Sequence, residues 1–470
     1  MGRFPEGGAD CAVQADFSVS ENLTWWFDYD YDLPTRRRFP LLQEFDILFT
    51  IQPRTPTADY ILSMKIAIHD YCGHPFQVQL SRSLAGRGYE VAHLYCNSNP
   101  TTPKGRIEKS PNDPDTFRVL PVQLPRDIKK TALVDRWYLE RLYGQQLVDS
   151  IAAFAPDLVI SAYAPLDAQA RLLTYCKRAT VPFVFWVQDI ISEAAYRILS
   201  HKLPGVGHLI GRYYQRKEMQ LLLASRHVVG ITEDFRPFFE LAGVPASRID
   251  TIPNWAPLDE IEPLPKDNPW SRRFNLADKF VFLYSGALGF KHNPELLLVL
   301  AQRFSSRKDV RVVVNSQGDA ADWLKQQKLK RGINNLIVNP YQPYEEMSQV
   351  LATADVLLAV LEPDAGVFSV PSKVLSYHCA QRPILLAVPE QNLASKIVVD
   401  AGSGLVGDPR DLELFCENAE RLYRDQAQLP AMGQRARDYA VQNFDIQAIT
   451  DRFESIIRQV TEQHQMGANA

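Results

Sequence analysis

Residues 279–298 read KFVFLYSGALGFKHNPELLL. The first half is an apolar run of strand length, Gly286 and Gly289 break it, and Asn293-Pro294-Glu295 brings the residue types that open a helix. A strand apolar on both faces, a glycine turn and then a helix is the repeating unit of a parallel sheet covered by helices on both sides.

The same unit recurs in both directions. After it come VRVVVNSQG (310–318), NLIVNPY (335–341), ADVLLAV (354–360) and RPILLAV (382–388). Before it come KIAIHD (65–70), YEVAHLY (89–95), PDLVISAY (156–163), PFVFWVQD (182–189), HVVGIT (227–232) and IDTIPN (249–254). Helical stretches such as 132–154 and 209–224 lie between them. Prolines and acids interrupt the alternation at 253–270, and it restarts at Lys279. The expectation is an α/β fold of two tandem doubly wound (Rossmann-like) domains, 64–255 and 279–442, joined by a linker at 256–278. Ile446, Ile449, Phe453, Ile456, Ile457 and Val460 fall at helical spacing, so a last helix within 443–470 packs against something. Residues 1–63 hold no period, with WWFDYDYDLP beside the basic TRRRFP, and are expected to be an extension outside the core. Met64, opening a strand, is the expected natural start.

With 470 residues, two large domains are the expected organisation. A net charge of −4 without a dominant basic stripe argues against a nucleic-acid binder. Six scattered cysteines with no C-x-x-C pair fit a reducing compartment, and no apolar run is long enough to span a membrane, so a cytoplasmic protein is expected.

Parallel sheets bind ligands outside the carboxyl ends of their strands. In the second domain the first such loop carries Gly286, Gly289 and Lys291 into a helix start. It is either a phosphate cradle or an ordinary turn with a surface lysine. A later loop of the same domain reads FSVPSKVLSYHCAQRPIL (368–385), with Lys373 in the first turn of a helix. A lysine does nothing for helix stability at that end, because the unpaired amides already make it positive. Two lysines at two helix starts of one sheet edge outline a diphosphate site.

These residues resemble family 4 glycosyltransferases of the GT-B fold. YSGALGFKHNPELL and ADVLLAVLEPDAGVFSVPSKVLSYHCAQRPIL carry the resemblance, which is nearest to the colanic-acid and exopolysaccharide biosynthesis branch and covers 64–457. It implies that the second domain binds a nucleotide-sugar and the first an acceptor. Transfer would retain the anomeric configuration, and the last helix would cross back to the first domain. It matches Gly286 and Lys291 to the glycine loop and phosphate lysine, Phe368, Ser369 and Val370 to backbone at the diphosphate, and Lys373 to the leaving group. Where the family commonly has two glutamates, this chain has Asp364 and Ser376, with four extra residues between them; Glu362 is a nearby alternative for the first. In the first domain Gly73 matches a flexible loop between donor and acceptor, and His74 follows it. Asp189 ends WVQD where the family places a polar residue near the anomeric centre, although aspartate is also a common helix cap. Ser161 and Tyr163 face the same edge.

The functional expectation is therefore a metal-independent glycosyltransferase serving a glycan or lipid-linked acceptor, because lysines and helix ends can carry the diphosphate charge. No cofactor and no nucleic-acid partner are expected. A nucleotide-sugar 2-epimerase shares the fold but needs more acid–base groups around the sugar; a donor-binding relative without transferase activity is a third reading. Residues 196–218, YRILSHKLPGVGHLIGRYYQRKE, mix cations and aromatics in a pattern that can lie on an anionic membrane surface, hence a possible peripheral membrane contact, although a solvated helical face is the commoner outcome.

Overall fold

A computed structural model describes residues 64–98, 106–128, 133–203, 205–363 and 370–468. The 1–63 extension lies outside the described residues. The first sheet contains β1 (Lys65–Asp70), β2 (Glu90–Cys96), β3 (Phe117–Val122), β4 (Leu158–Ala162), β5 (Phe183–Val187), β6 (His227–Gly230) and β7 (Ile249–Thr251). The second contains β8 (Phe280–Ser285), β9 (Val310–Asn315), β10 (Leu336–Asn339), β11 (Val356–Val360), β12 (Ile384–Ala387) and β13 (Gly404–Gly407). Both are wholly parallel, ordered β3-β2-β1-β4-β5-β6-β7 and β10-β9-β8-β11-β12-β13. These are the two doubly wound layers expected from the alternating pattern.

Two edge strands go beyond the sequence reading. β3 (FRVLPV) is half-exposed and carries Pro121, so it lacks the apolar run that marks its neighbours. Pro121 is tolerated because an edge strand has one unpaired side. β13 (GLVG) has two glycines and four residues; a Cβ on Gly404 would lie 1.8 Å from the Ile384 carbonyl oxygen, so only glycine fits against β12.

The segment 256–278 is packed rather than strung out. Ala256, Ile261, Trp270 and Leu276 are buried, Lys266 reaches both the Asp355 carboxylate and the Lys279 carbonyl, and the Trp270 indole donates to Gln342 (2.9 Å). A short helix, Pro269–Arg273, starts in a capping box between Asn268 and Ser271.

The last helix, Ile446–Ala468, crosses back to the first domain and lies on the Pro75–Gly86 helix. Arg87 donates to Asp451 (2.6 Å), Glu454 (2.7 Å) and the Gln447 carbonyl (2.8 Å), and Thr450 donates to Ser83 (2.8 Å). Beneath them Phe453 meets Trp186 edge-on at 4.8 Å, Trp186 stacks on Trp255 at 5.9 Å, and Phe76 meets Trp255 at 5.2 Å. All four rings are buried in a core shared by both domains. Phe453→Ala removes the ring that closes this cluster and should cost about 3–5 kcal/mol of stability, read as a lower urea midpoint. A loss below ~1 kcal/mol would show that the last helix is only loosely seated.

Candidate active site

Each sheet reverses its strand order once, between β1 and β4 in the first and between β8 and β11 in the second. The crevice outside such a reversal is where open α/β sheets hold ligands.

At the first reversal, β1 ends in Asp70, whose side chain is buried. Its carboxylate accepts from the amides of Cys72 (3.0 Å) and His74, and from His74 Nδ1 at 3.0 Å. The Gln77 side-chain amide, turned with its nitrogen inward, donates to both oxygens at 2.6 and 2.8 Å. Gly73 takes the left-handed φ of 75° that lets the loop fold back, and its amide reaches the Asp70 carbonyl at 3.3 Å. Asp70 therefore fixes the glycine loop and the histidine together. Burial works against both charges, yet the opposing charges and hydrogen bonds together outweigh it: the His74 pKa stands above its ordinary 6.5 and the Asp70 pKa below its ordinary 3.8. With Nδ1 committed to Asp70, His74 keeps Nε2 for other partners, and 26% of its side chain is exposed. Asp70 was not singled out from the sequence; a lone acid closing an apolar strand at the carboxyl edge was the available signal.

Asp189, half-buried after β5, lies within electrostatic reach of His74 and raises its pKa further. Tyr163 joins them, edge-on to the His74 ring at 6.0 Å. The helix after Asp189, Ile191–Lys202, has its first amides taken by another residue: the buried Glu218 carboxylate accepts from Ile191 (3.2 Å) and Ser192 (3.0 Å). Burial pushes the Glu218 pKa up to about 7, with these amides pulling the other way. Glu218 does the capping that the sequence offered to Asp189. Ser161, in contrast, does not face the crevice. It is buried within β4, bonded to His69 Nδ1 and Gln169 at 2.7 Å each.

At the second reversal, Gly286 follows β8 with φ 125°, and a Cβ there would lie 3.4 Å from Lys373 Cε. The Lys373 ammonium sits 3.7 Å from the centre of the Tyr284 ring, donating to the Tyr284 hydroxyl and to the Ala287 carbonyl (3.2 Å). Lys373 is thus no solvated surface charge: the side chain is half-buried and held. Lys373 opens the Lys373–Cys379 helix, which also carries the half-buried Ser376. Buried Tyr377 pins that helix to the sheet, accepting from the Ser285 amide (3.1 Å) and donating to the Leu358 carbonyl (3.1 Å). The Gly289 amide donates to His292 Nδ1 at 2.8 Å, and Lys291 lies in the 3₁₀ turn between them. Asn293 precedes Pro294 in the left-handed conformation (φ 45°), without the side-chain cap its sequence position promised. Glu362 is half-buried just past β11. Asp364, Phe368 and Ser369 lie outside the described residues.

The two carboxyl edges face each other. Val370, at the end of the second-domain loop, packs on the first domain's core as well as the shared one, and Lys396 meets Asp234 at 3.1 Å. One side of the crevice thus offers an imidazole with carboxylates, the other an ammonium over a glycine turn. Among the described residues no group of three or more His, Cys, Asp or Glu side chains is placed to hold a metal ion.

In Asp70→Asn the His74 pKa should fall below its wild-type value in an NMR titration. Because His74 is raised, its share of the pair's stability is present below 6.5 and lost as pH rises through the folded value. Because Asp70 is lowered, its share is present above 3.8 and lost as pH falls through the folded value. The variant's deficit, roughly 1–3 kcal/mol, should therefore peak between those two values. A deficit independent of pH would show that Asp70 acts only through the loop amides.

Comparison with known proteins bears on this arrangement. A "Glycosyl transferase 4-like domain" model matches residues 74–255, and a "Glycosyl transferases group 1" model matches 267–439. The WcaI glycosyl transferase of Escherichia coli (strain K12), whose name places it in colanic acid biosynthesis, is 24% identical over 46% of this chain and 53% of its own. The WbjE glycosyltransferase of Pseudomonas aeruginosa is 26% identical over 44% of this chain and 51% of its own. The chain thus spans about half the length of the curated relatives it matches. Among solved structures, sucrose-phosphate synthase from Thermosynechococcus elongatus superposes with a TM-score of 0.65 at 15% identity, covering 85% of this chain and 100% of that one. HepE of Anabaena, solved with UDP and glucose, gives 0.62 at 15% identity, covering 84% and 99%. WaaG, a glycosyltransferase involved in lipopolysaccharide biosynthesis, gives 0.58 at 17%, covering 83% and 99%. With both halves matched in order and the two facing sheets in place, the chain belongs to the family 4 glycosyltransferases of the GT-B fold.

Proposed function

We propose that the chain is a retaining glycosyltransferase that moves a sugar from a nucleotide-sugar to a glycan or lipid-linked acceptor in surface polysaccharide biosynthesis, acting in the cytoplasm. The observation that carries this reading is Lys373, held on the Tyr284 ring against Gly286 at the reversal point of the second sheet. An ammonium fixed beside a glycine turn suits a diphosphate, and the UDP and glucose bound by HepE supply a donor class to test.

Transfer breaks the bond between the anomeric carbon and a phosphate oxygen. Positive character grows on the sugar ring while negative charge grows on the diphosphate. In this reading Lys373, Lys291 and the Gly286 turn meet the diphosphate, with the backbone of Phe368–Val370 beside it. Cations already in place stabilise that charge without reorganising, so no divalent metal is needed. Asp189 lies near the anomeric centre, and His74 contacts a phosphate or hydroxyl. Asp364 or Glu362 takes sugar hydroxyls, and Ser376 approaches the ribose. Retention requires the acceptor oxygen to arrive on the face that the diphosphate leaves, which keeps acceptor and leaving group in one crevice.

Lys373→Ala and Lys291→Ala should each weaken UDP binding about tenfold to a hundredfold in calorimetric titrations, the value of a charge-assisted contact. Binding of uridine, which lacks the diphosphate, should barely change, and a chelator should leave UDP affinity intact. Unchanged UDP affinity in both variants overturns the donor site. Asp189→Asn should lower turnover while sparing donor affinity, and full activity would remove Asp189 from the site.

A further inference from the structure

Asp189 and Ile190 carry the chain from β5 into the Ile191–Lys202 helix. The residue standing where a cap belongs is Ile190, which has no polar side chain to offer and is buried in the first domain's core. Aspartates near a helix start accept from amides two and three positions further along the chain. From Asp189 those amides belong to Ile191 and Ser192. They are the same two that the Glu218 carboxylate holds, one to each oxygen, at 3.2 and 3.0 Å. Asp189 and Glu218 are therefore alternatives for one pair of donors.

Packing decides between them. Glu218 lies on the Val206–Ala224 helix, whose Leu221 and Leu222 are buried in the same core as Ile190. Glycines set how closely the two helices meet. A Cβ on Gly207 would lie 1.9 Å from the Leu199 carbonyl oxygen, and one on Gly211 2.6 Å from the Tyr196 ring, so a side chain at either crossing would push the helices apart. Glu218 itself is 1% exposed; burial raises its pKa and the nearby Asp189 charge adds to the rise, while the Ser192 and Ile191 contacts lower it. A cap supplied by half-buried Asp189 would satisfy these amides without burying a carboxyl group so deeply. The arrangement therefore does more than close a helix end. On the crevice side, burial lowers the His74 pKa, Asp70 and Gln77 raise it, and Asp189 raises it further. Burial and then the same Asp189 charge push up the pKa of Tyr163, which meets the His74 ring edge-on at 6.0 Å.

We propose that Glu218 is a positioning residue: by occupying the Ile191 and Ser192 amides it denies them to Asp189 and keeps the Asp189 carboxylate with His74 in the crevice. Glu218 touches no reacting atom and acts through Asp189 alone. Its bearing on turnover rests on the transferase reading, whereas the placement of Asp189 does not.

The test is a double-variant cycle on the full chain, read by NMR titration of His74. Asp189→Asn sets the scale, because it removes the charge and keeps the shape. Glu218→Gln should lower the His74 pKa as far as Asp189→Asn does, since a released Asp189 turns to cap its own helix. In the Asp189→Asn background, Glu218→Gln should move His74 no further. A merely structural role for Glu218 would lower the melting temperature and leave the His74 pKa at its wild-type value, which overturns the proposal. A shift that persists undiminished in the double variant also overturns it, because Glu218 would then act on His74 directly. Should Glu218→Gln fail to fold, Glu218→Asp keeps the charge but draws it one methylene back from the amides, and it is taken through the same cycle. The titration reads Asp189 whatever reaction the crevice serves, so its failure is separate from failure of UDP binding at the donor site.

Discussion

Four aromatic rings seat the returning last helix on the first domain. Among the described residues no strand ladder joins the domains, so the crevice between their carboxyl edges takes its geometry from other contacts. Burial of Phe76, Trp186, Trp255 and Phe453 supplies the attraction, and the stacked and edge-on ring contacts restrict how the surfaces can slide. Polar contacts then select one arrangement. The Trp255 indole donates to Gln79 (2.7 Å), whose amide donates to Asp259 (2.7 Å) in the connecting segment. This alignment satisfies the Trp255 indole and the Gln79 amide, which makes the joint specific as well as adhesive.

The same joint explains the course of the last described helix. Phe453 comes from the last helix, whereas Phe76 and Trp186 come from the first sheet's own units. A helix leaving the second domain and returning to the first closes the architecture. The second domain is therefore anchored to the first at the connecting segment and again at the end of the described chain. The site elements are spread over both domains, so both anchors bear on the crevice.

The sequence exposed most of the fold because buried parallel strands are continuous apolar runs; all strands buried on both faces were legible. The misses were edge strands, where one side of the ladder is unpaired and the pattern relaxes, as Pro121 in β3 and the glycines of β13 show. Within the site, Gly73, Gly286 and Lys373 were legible because conformation and charge at loop positions leave a mark on residue type. Asp70 and Glu218 were not. Each does its work through contacts with backbone amides or a side chain, and Glu218 does so across 27 positions of sequence. A buried glutamate in the middle of a helix reads, in one dimension, as another polar residue on a wet face.

Tyr284 shows how the lysine of the second domain is held. A half-buried ammonium loses hydration that its surroundings must replace. The Tyr284 ring face returns part of that interaction, and the Ala287 carbonyl and Tyr284 hydroxyl accept two of its three protons. The order of residues in YSGALG serves that end: the tyrosine supplies the seat, the glycine leaves room for the stem, and the alanine carbonyl fixes the head.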